Sequence, residues 1–332
     1  MRSSKVKGII FVILASLCYG VTPILSSTAI NGGMPADFLT RVFGCAPASL
    51  AACAENAIPN ESVVGISMAI ACAISLLLCL IGKKSLRVSG KQLWQLGVFG
   101  GGGLTATLLL LTYSYLYVTP GVALVLNFVY PVIVVIVSAL FFREGFGILK
   151  AAALAVAILG ILLISGALGG SSNGLAASGA SSPTPGIILG LLSAAAYAAY
   201  FLAGRHASYY GLDSGVCSVY ITGFSALICL VTAAAAGRLA LPNTWFLWLM
   251  LIGEGTLGMV IGLRLLLVGI RLLGSAAASA LNTLEPVFVM ITSALVYGSA
   301  LNAPKYIGAA LVLIAALVSI LAINGVGKKA EE

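Results

Sequence analysis

Glu285 is the residue best placed for chemistry, because it stands about 11 residues into an apolar run, where an ionised side chain costs roughly 2.5–3.5 kcal/mol. A carboxylate there can hold a cationic group or take up a proton. Glu254 and Arg264 lie in the preceding run, and their spacing puts them roughly 15 Å apart in depth, bracketing Glu285. Arg264 is expected to reach Glu285 from the inner side. The competing structural reading is a buried ion pair that locks the two runs together.

The run that carries Glu285 is written twice. ALVLNFVYPVIVVIVSAL at 123–140 returns as ASALNTLEPVFVMITSAL at 278–295, with Asn127, Pro131 and Ser138 falling on Asn282, Pro286 and Ser293 at a constant offset of 155. Tyr130 is then the counterpart of Glu285, so two helices broken at Pro131 and Pro286 are expected to present a phenol and a carboxylate to one cavity. Each proline removes a helical donor and leaves a carbonyl one turn back free for a ligand or for Asn127 and Asn282. A plain kink relieved by packing is the alternative. Pro-interrupted apolar segments at matching places in two halves point to a transporter's binding site. Tyr19, with the helix break expected at Pro23, Tyr113 and Tyr197 are further candidates for the cavity wall.

Stepping outward, ten apolar runs are expected to be spans: 8–28, 62–81, 93–115, 121–142, 148–168, 186–204, 214–236, 245–267, 274–297 and 304–323. With both termini inside, all of the 17 basic residues except Arg41, Arg238 and Lys305 fall on the inner side, which agrees with the positive-inside rule. Gly100 and Gly103 match Gly255 and Gly258 at the offset of 155, whereas Gly8 and Tyr19 match Gly186 and Tyr197 at 178. Five spans per copy is odd, so the copies must have opposite topology.

The expected division is a first repeat at 8–168, an external linker at 169–185, a second repeat at 186–323 and a cytoplasmic tail at 324–332. The change of offset means that the first copy holds 23 residues that the second lacks, within about 31–56. This insertion is expected to form an outer helix or a re-entrant element, with a lid and a functionless loop both open as readings. Cys45 and Cys53 within it would pair only if the chain turned at Pro47.

Composition excludes much else. At 61% hydrophobic and 8% charged residues, with a mean hydropathy of +1.13, the chain cannot bury its apolar surface in one water-soluble globule and needs lipid as its solvent. The net charge of +8 is spread over the ends of spans rather than gathered into a nucleic-acid patch. His206 is the lone histidine and Asp37 and Asp213 the only aspartates, all outside the spans. No zinc pair, serine–histidine dyad or aspartyl dyad is legible, so neither an enzyme, a metal nor a cofactor is expected.

The pattern TPGVALVLNFVYPVIVVIVSALFFREG and its echo GSAAASALNTLEPVFVMITSAL resemble the two halves of the EamA family in the drug/metabolite transporter superfamily. The most specific parts are Tyr130-Pro131, Glu285-Pro286 and the acidic Glu144. The chain departs from the family at YGSAL, 297–301, where an acidic residue is usual, and in its insertion. The resemblance implies an all-α carrier for small organic metabolites, often outward, by alternating access in a prokaryotic plasma membrane. A proton is a candidate second cargo and a homodimer a candidate assembly. An uptake permease is the alternative, with a lipid scramblase or polytopic enzyme further behind.

Overall fold

The computed structural model describes residues 2–43, 50–114, 116–118, 120–142, 148–165, 182–297 and 303–325. Glu144, Cys45, the YGSAL stretch beyond Tyr297, most of the linker and the end of the tail lie outside them. In lipid, backbone polar groups must be satisfied within their own segment, and the apolar runs accordingly fold as helices.

Eight helical stretches are long and apolar enough to cross a membrane: Ser4–Ile30, Asn60–Ile81, Gly90–Ser114, Val122–Phe141, Thr184–His206, Ser214–Ala235, Trp245–Leu273 and Ser275–Val296. They coincide with eight of the ten expected spans. The other two are also helical, with shorter apolar stretches at Ala151–Ile164 and Ala303–Ser319.

In chain order the helices are α1 (Arg2–Ile30), α2 (Ala36–Phe43), α3 (Asn60–Ile81), α4 (Gly90–Gln95), α5 (Gly103–Ser114), α6 (Pro120–Asn127), α7 (Tyr130–Phe141), α8 (Ile148–Ser165), α9 (Thr184–His206), α10 (Ser214–Ala235), α11 (Trp245–Glu254), α12 (Leu263–Leu273), α13 (Ser275–Asn282), α14 (Glu285–Tyr297) and α15 (Ala303–Gly325). Widened π turns join α4 to α5 at Leu96–Gly102 and α11 to α12 at Gly255–Gly262. The two turns overlap when the copies are superposed at the offset of 155.

Packing follows the repeat. α3 lies on α10 and α8 on α15, while α5 lies on α9 as α12 lies on α1. The first helix of each half also crosses the broken helix of the other: α1 packs on α13 and α14, and α9 on α6 and α7. Small residues permit this. A Cβ on Gly160 would stand 2.6 Å from the Gly308 carbonyl oxygen, and one on Gly308 would stand 2.5 Å from that of Gly160, so α8 and α15 touch backbone to backbone. The glycine run at 100–103 also serves packing, since a Cβ on Gly100 would lie 2.7 Å from Ile221 Cγ1.

The expected break at Pro23 does not occur. α1 runs through Pro23 without interruption, because the carbonyl that proline leaves without a donor, that of Tyr19, accepts the Thr22 hydroxyl at 3.0 Å. The insertion contains the short helix α2, which buries Leu39 completely. Among the described residues the one β pairing is a bridge between Met34 and Ala51. Gly33 at φ 154° makes it possible, because a Cβ there would lie 2.4 Å from the Ala51 oxygen.

Candidate functional site

The two broken helices build the site. α6 ends at Asn127 and α7 begins at Tyr130; α13 ends at Asn282 and α14 begins at Glu285. Proline at the second position of a helix is favourable, since the missing N–H would have had no partner there. It leaves the carbonyls of Asn127 and Asn282, four residues back, without a helical donor. Between the segments, Phe128 and Val129 in one copy and Thr283 and Leu284 in the other make the turn. Val129 N donates to Leu126 O at 3.2 Å and Leu284 N to Leu281 O at 3.1 Å.

Asn282, which has no exposed surface, is the hub. Its Nδ2 donates to the Tyr130 hydroxyl and to Glu285 Oε2, both at 3.1 Å, and its Oδ1 accepts from Ser16 Oγ at 3.1 Å. One amide thus joins the phenol of the first half to the carboxylate of the second. In the other copy, Asn127 Oδ1 accepts from Ser193 Oγ at 2.8 Å, and Ser193 also reaches Thr107 O at 3.0 Å. Ser16 and Ser193 hold their asparagines from the first helix of the opposite half, and sequence reasoning missed both. The signal available was a serine in almost matching places of the two first helices.

Aromatic rings wall the hub. The Tyr130 ring is fully buried, with its centroid 4.4 Å from that of Tyr197 and 5.1 Å from that of Phe201. Tyr200 stacks on Tyr197 at 5.9 Å. Its hydroxyl is buried and makes no hydrogen bond among the described residues, a cost of about 1–3 kcal/mol. Tyr19 lies against the α12 side of the second π turn, where a Cβ on Gly262 would be 3.2 Å from its ring. Glu285 itself is half-buried, and among the described residues no lysine or arginine pairs with it.

The other expected site residues lie elsewhere. The expected approach of Arg264 to Glu285 is not made: its Nη2 donates to Ser75 O at 3.4 Å and its guanidinium carbon lies close to Gly215. The π turn at Gly255–Gly262 precedes Arg264, and the helix beyond it presents the guanidinium to α3 and α10 rather than to α14. Tyr113 donates to Glu61 Oε1 at 3.0 Å, which also takes Arg238 Nη1 at 3.2 Å. Glu254 is bound by two other serines, Ser26 at 2.5 Å and Ser67 at 3.1 Å.

A model of the EamA-like transporter family matches residues 47–166 and 184–321, one match in each half. The chain belongs to the EamA-like transporter family. The matches take in both broken helices, so the hub of this EamA-family protein lies wholly within the matched residues apart from Ser16. A solved structure described only as "Crystal structure of protein" superposes with a TM-score of 0.71 over 96% of this chain and 99% of its own, at 18% identity. It shares the fold. A search of curated proteins finds no match.

The family is one of transporters, and the apolar helices make this a multi-pass membrane protein.

Proposed function

We propose that this EamA-family protein is a secondary carrier that moves small, amine-bearing organic metabolites outward by alternating access. In this reading ten spans form two inverted five-helix halves in the plasma membrane of a prokaryote, with both termini in the cytoplasm. Glu285, Tyr130 and Asn282, with Asn127, Tyr197 and Tyr19 beside them, form the substrate site.

The observation that carries the reading is the Tyr130–Asn282–Glu285 chain, in which side chains at two proline breaks from different halves meet through one buried amide. Broken helices at a repeat interface are where carriers bind their cargo. A half-buried carboxylate that pairs with no lysine or arginine among the described residues, joined through Asn282 to Tyr130, whose ring lies 4.4 Å from that of Tyr197, suits a protonated amine through charge and cation–π attraction. Phosphorylated cargo would call for clustered cations, and Arg264 is directed elsewhere. The reciprocal packing of α1 on α13–α14 and α9 on α6–α7 supports two halves related by an internal two-fold axis, able to rock about the hub.

The test is metabolite profiling of medium and cytoplasm from cells expressing wild type, Glu285→Gln or empty vector at matched levels. A metabolite enriched in the medium only with wild type supports export and the role of Glu285. An equal shift by both proteins removes Glu285 from the site. Enrichment in the cytoplasm reverses the direction to uptake, and no difference from vector overturns the carrier reading in that host.

A further inference from the structure

Glu254 is a buried carboxylate that the substrate site does not use. It is 6% exposed and ends α11, which packs against α1 and α3. Each of those helices offers it one hydroxyl: Ser26 Oγ stands 2.5 Å from Oε1, and Ser67 Oγ 3.1 Å from Oε2. The carboxylate therefore ties the second half of the chain to two helices of the first.

Each serine has one hydroxyl proton and more than one acceptor in reach, the carboxylate and the backbone carbonyl oxygen one turn back on its own helix, with Val64 O at 3.4 Å a further one for Ser67. For Ser26 that carbonyl is Thr22 O at 3.2 Å, and for Ser67 it is Val63 O at 2.5 Å. With Glu254 ionised, both hydroxyls turn to it and bridge the halves. When a proton from water binds one carboxylate oxygen, the new O–H donates to a serine oxygen, and that serine returns its own proton to its carbonyl. Two interhelical bonds that share one negative charge become weaker neutral ones.

Among the described residues no group of three metal-ligating side chains gathers here; the partners of the carboxylate are the hydroxyls of Ser26 and Ser67, donors that suit a group gaining and losing a proton. The charged and titratable groups on the packed elements are engaged elsewhere or lie along the helices; Cys72 on α3 donates to Val219 O at 3.4 Å. On α3, Glu61 is six residues from Ser67 and held by Arg238 and Tyr113. On α1, Cys18 and Tyr19 are about two turns from Ser26, and beyond the π turn Arg264 is held at Ser75. Ile30, one turn from Ser26, lines an open surface groove of about 570 Å³ with Asn31, Cys53 and Ala57.

We propose that Glu254 is a proton-binding site separate from the substrate carboxylate, whose protonation loosens α11 from α1 and α3 and so couples proton movement to the transport cycle. The coupling rests on the carrier reading; the proton site does not.

The experiment has two arms. Purified protein in lipid nanodiscs is titrated while the infrared C=O stretch of protonated carboxyls is followed. Wild type minus Glu254→Gln is expected to contain one band that comes and goes with pH and that Glu285→Gln retains; absence of that band at every pH overturns the site. If Glu254→Gln does not fold, Ser26→Ala with Ser67→Ala is expected to displace the same band, and an unmoved band overturns the site equally. In vesicles, with the metabolite found by profiling, Glu254→Gln is expected to keep exchange of labelled for unlabelled metabolite but lose about tenfold of the stimulation by an imposed pH gradient. Undiminished stimulation overturns the coupling. A protein with no metabolite fails as a carrier, and the infrared arm still decides the proton site.

Discussion

Asn127 and Asn282 correspond in three dimensions as they do in sequence: each accepts a hydrogen bond from a serine on the first helix of the opposite half, Ser193 at 2.8 Å and Ser16 at 3.1 Å. Each half is thereby held at its weakest point, the proline break, by the other. Interhelical hydrogen bonds of this kind contribute about 0.5–2 kcal/mol each in membranes.

Ser16→Ala and Ser193→Ala are therefore expected to lower stability by similar amounts, about 1 kcal/mol each. Thermal unfolding of the detergent-solubilised variants checks this. A loss confined to one of them would show that the two asparagines are not equivalent.

Asn282→Ala removes three hydrogen bonds at once and leaves the Tyr130 hydroxyl without its donor. The expected result is a loss of about 2–4 kcal/mol in stability and of most transport. Asn282→Asp keeps the Ser16 bond but sets a second carboxyl beside Glu285. It is expected to fold better than the alanine variant yet to bind the amine substrate with altered affinity, read by ligand-induced thermal shift.

Gly20 brings α1 against α14 just beyond the hub. Its carbonyl accepts Thr292 Oγ1 at 2.7 Å, and a Cβ on it would stand 2.2 Å from Phe288 Cβ and 3.1 Å from the Phe288 carbonyl carbon. Backbone cannot yield as a side-chain tip can. Gly20→Ala is expected to destabilise by about 1–3 kcal/mol and to lower transport by displacing Glu285, whereas Gly90→Ala, where a Cβ meets nothing within 4 Å, changes neither.

Asp213 caps α10, accepting Gly215 N at 2.8 Å, and pairs with Lys84 Nζ at 2.8 Å. Partial burial pushes its carboxyl up, but the bonds from Lys84 and from the Gly215 and Val216 amides outweigh this and hold it below the usual carboxylate range. A depressed carboxyl stabilises the fold above its unfolded pKa, about 3.9, and loses that contribution as pH falls through the folded value. With side chains 42% exposed on both partners, the ion pair is worth at most about 1 kcal/mol. The melting temperatures of wild type and Asp213→Asn are expected to differ slightly at pH 7 and to converge only as pH falls below the usual carboxylate range.

Tyr113→Phe tests whether this tyrosine serves the cargo or the fold. It removes one of two donors to the buried Glu61, so stability is expected to fall by about 1 kcal/mol. The range of exported metabolites is expected to stay unchanged in the profiling assay.

The sequence by itself determined the solvent of this protein, its helical class, its duplication and the places where a proline interrupts the backbone ladder, because each is a local or periodic property. An apolar run must satisfy its own backbone in lipid, and a proline removes one donor wherever it stands. The tertiary structure decided who meets whom. Pro23 and Pro131 look alike in the chain, yet only the helix at Pro131 breaks, since the Thr22 hydroxyl takes up the donor role at Pro23. Arg264 and Glu254 differ from expectation for a related reason. Rise along a helix is legible from spacing, but the rotation of one helix against another is set by glycines and small hydroxyls that carry no strong signal of their own. That rotation turned Arg264 to Ser75, gave Glu254 to Ser26 and Ser67, and brought Ser16, Asn282, Tyr130 and Glu285 into one chain of hydrogen bonds.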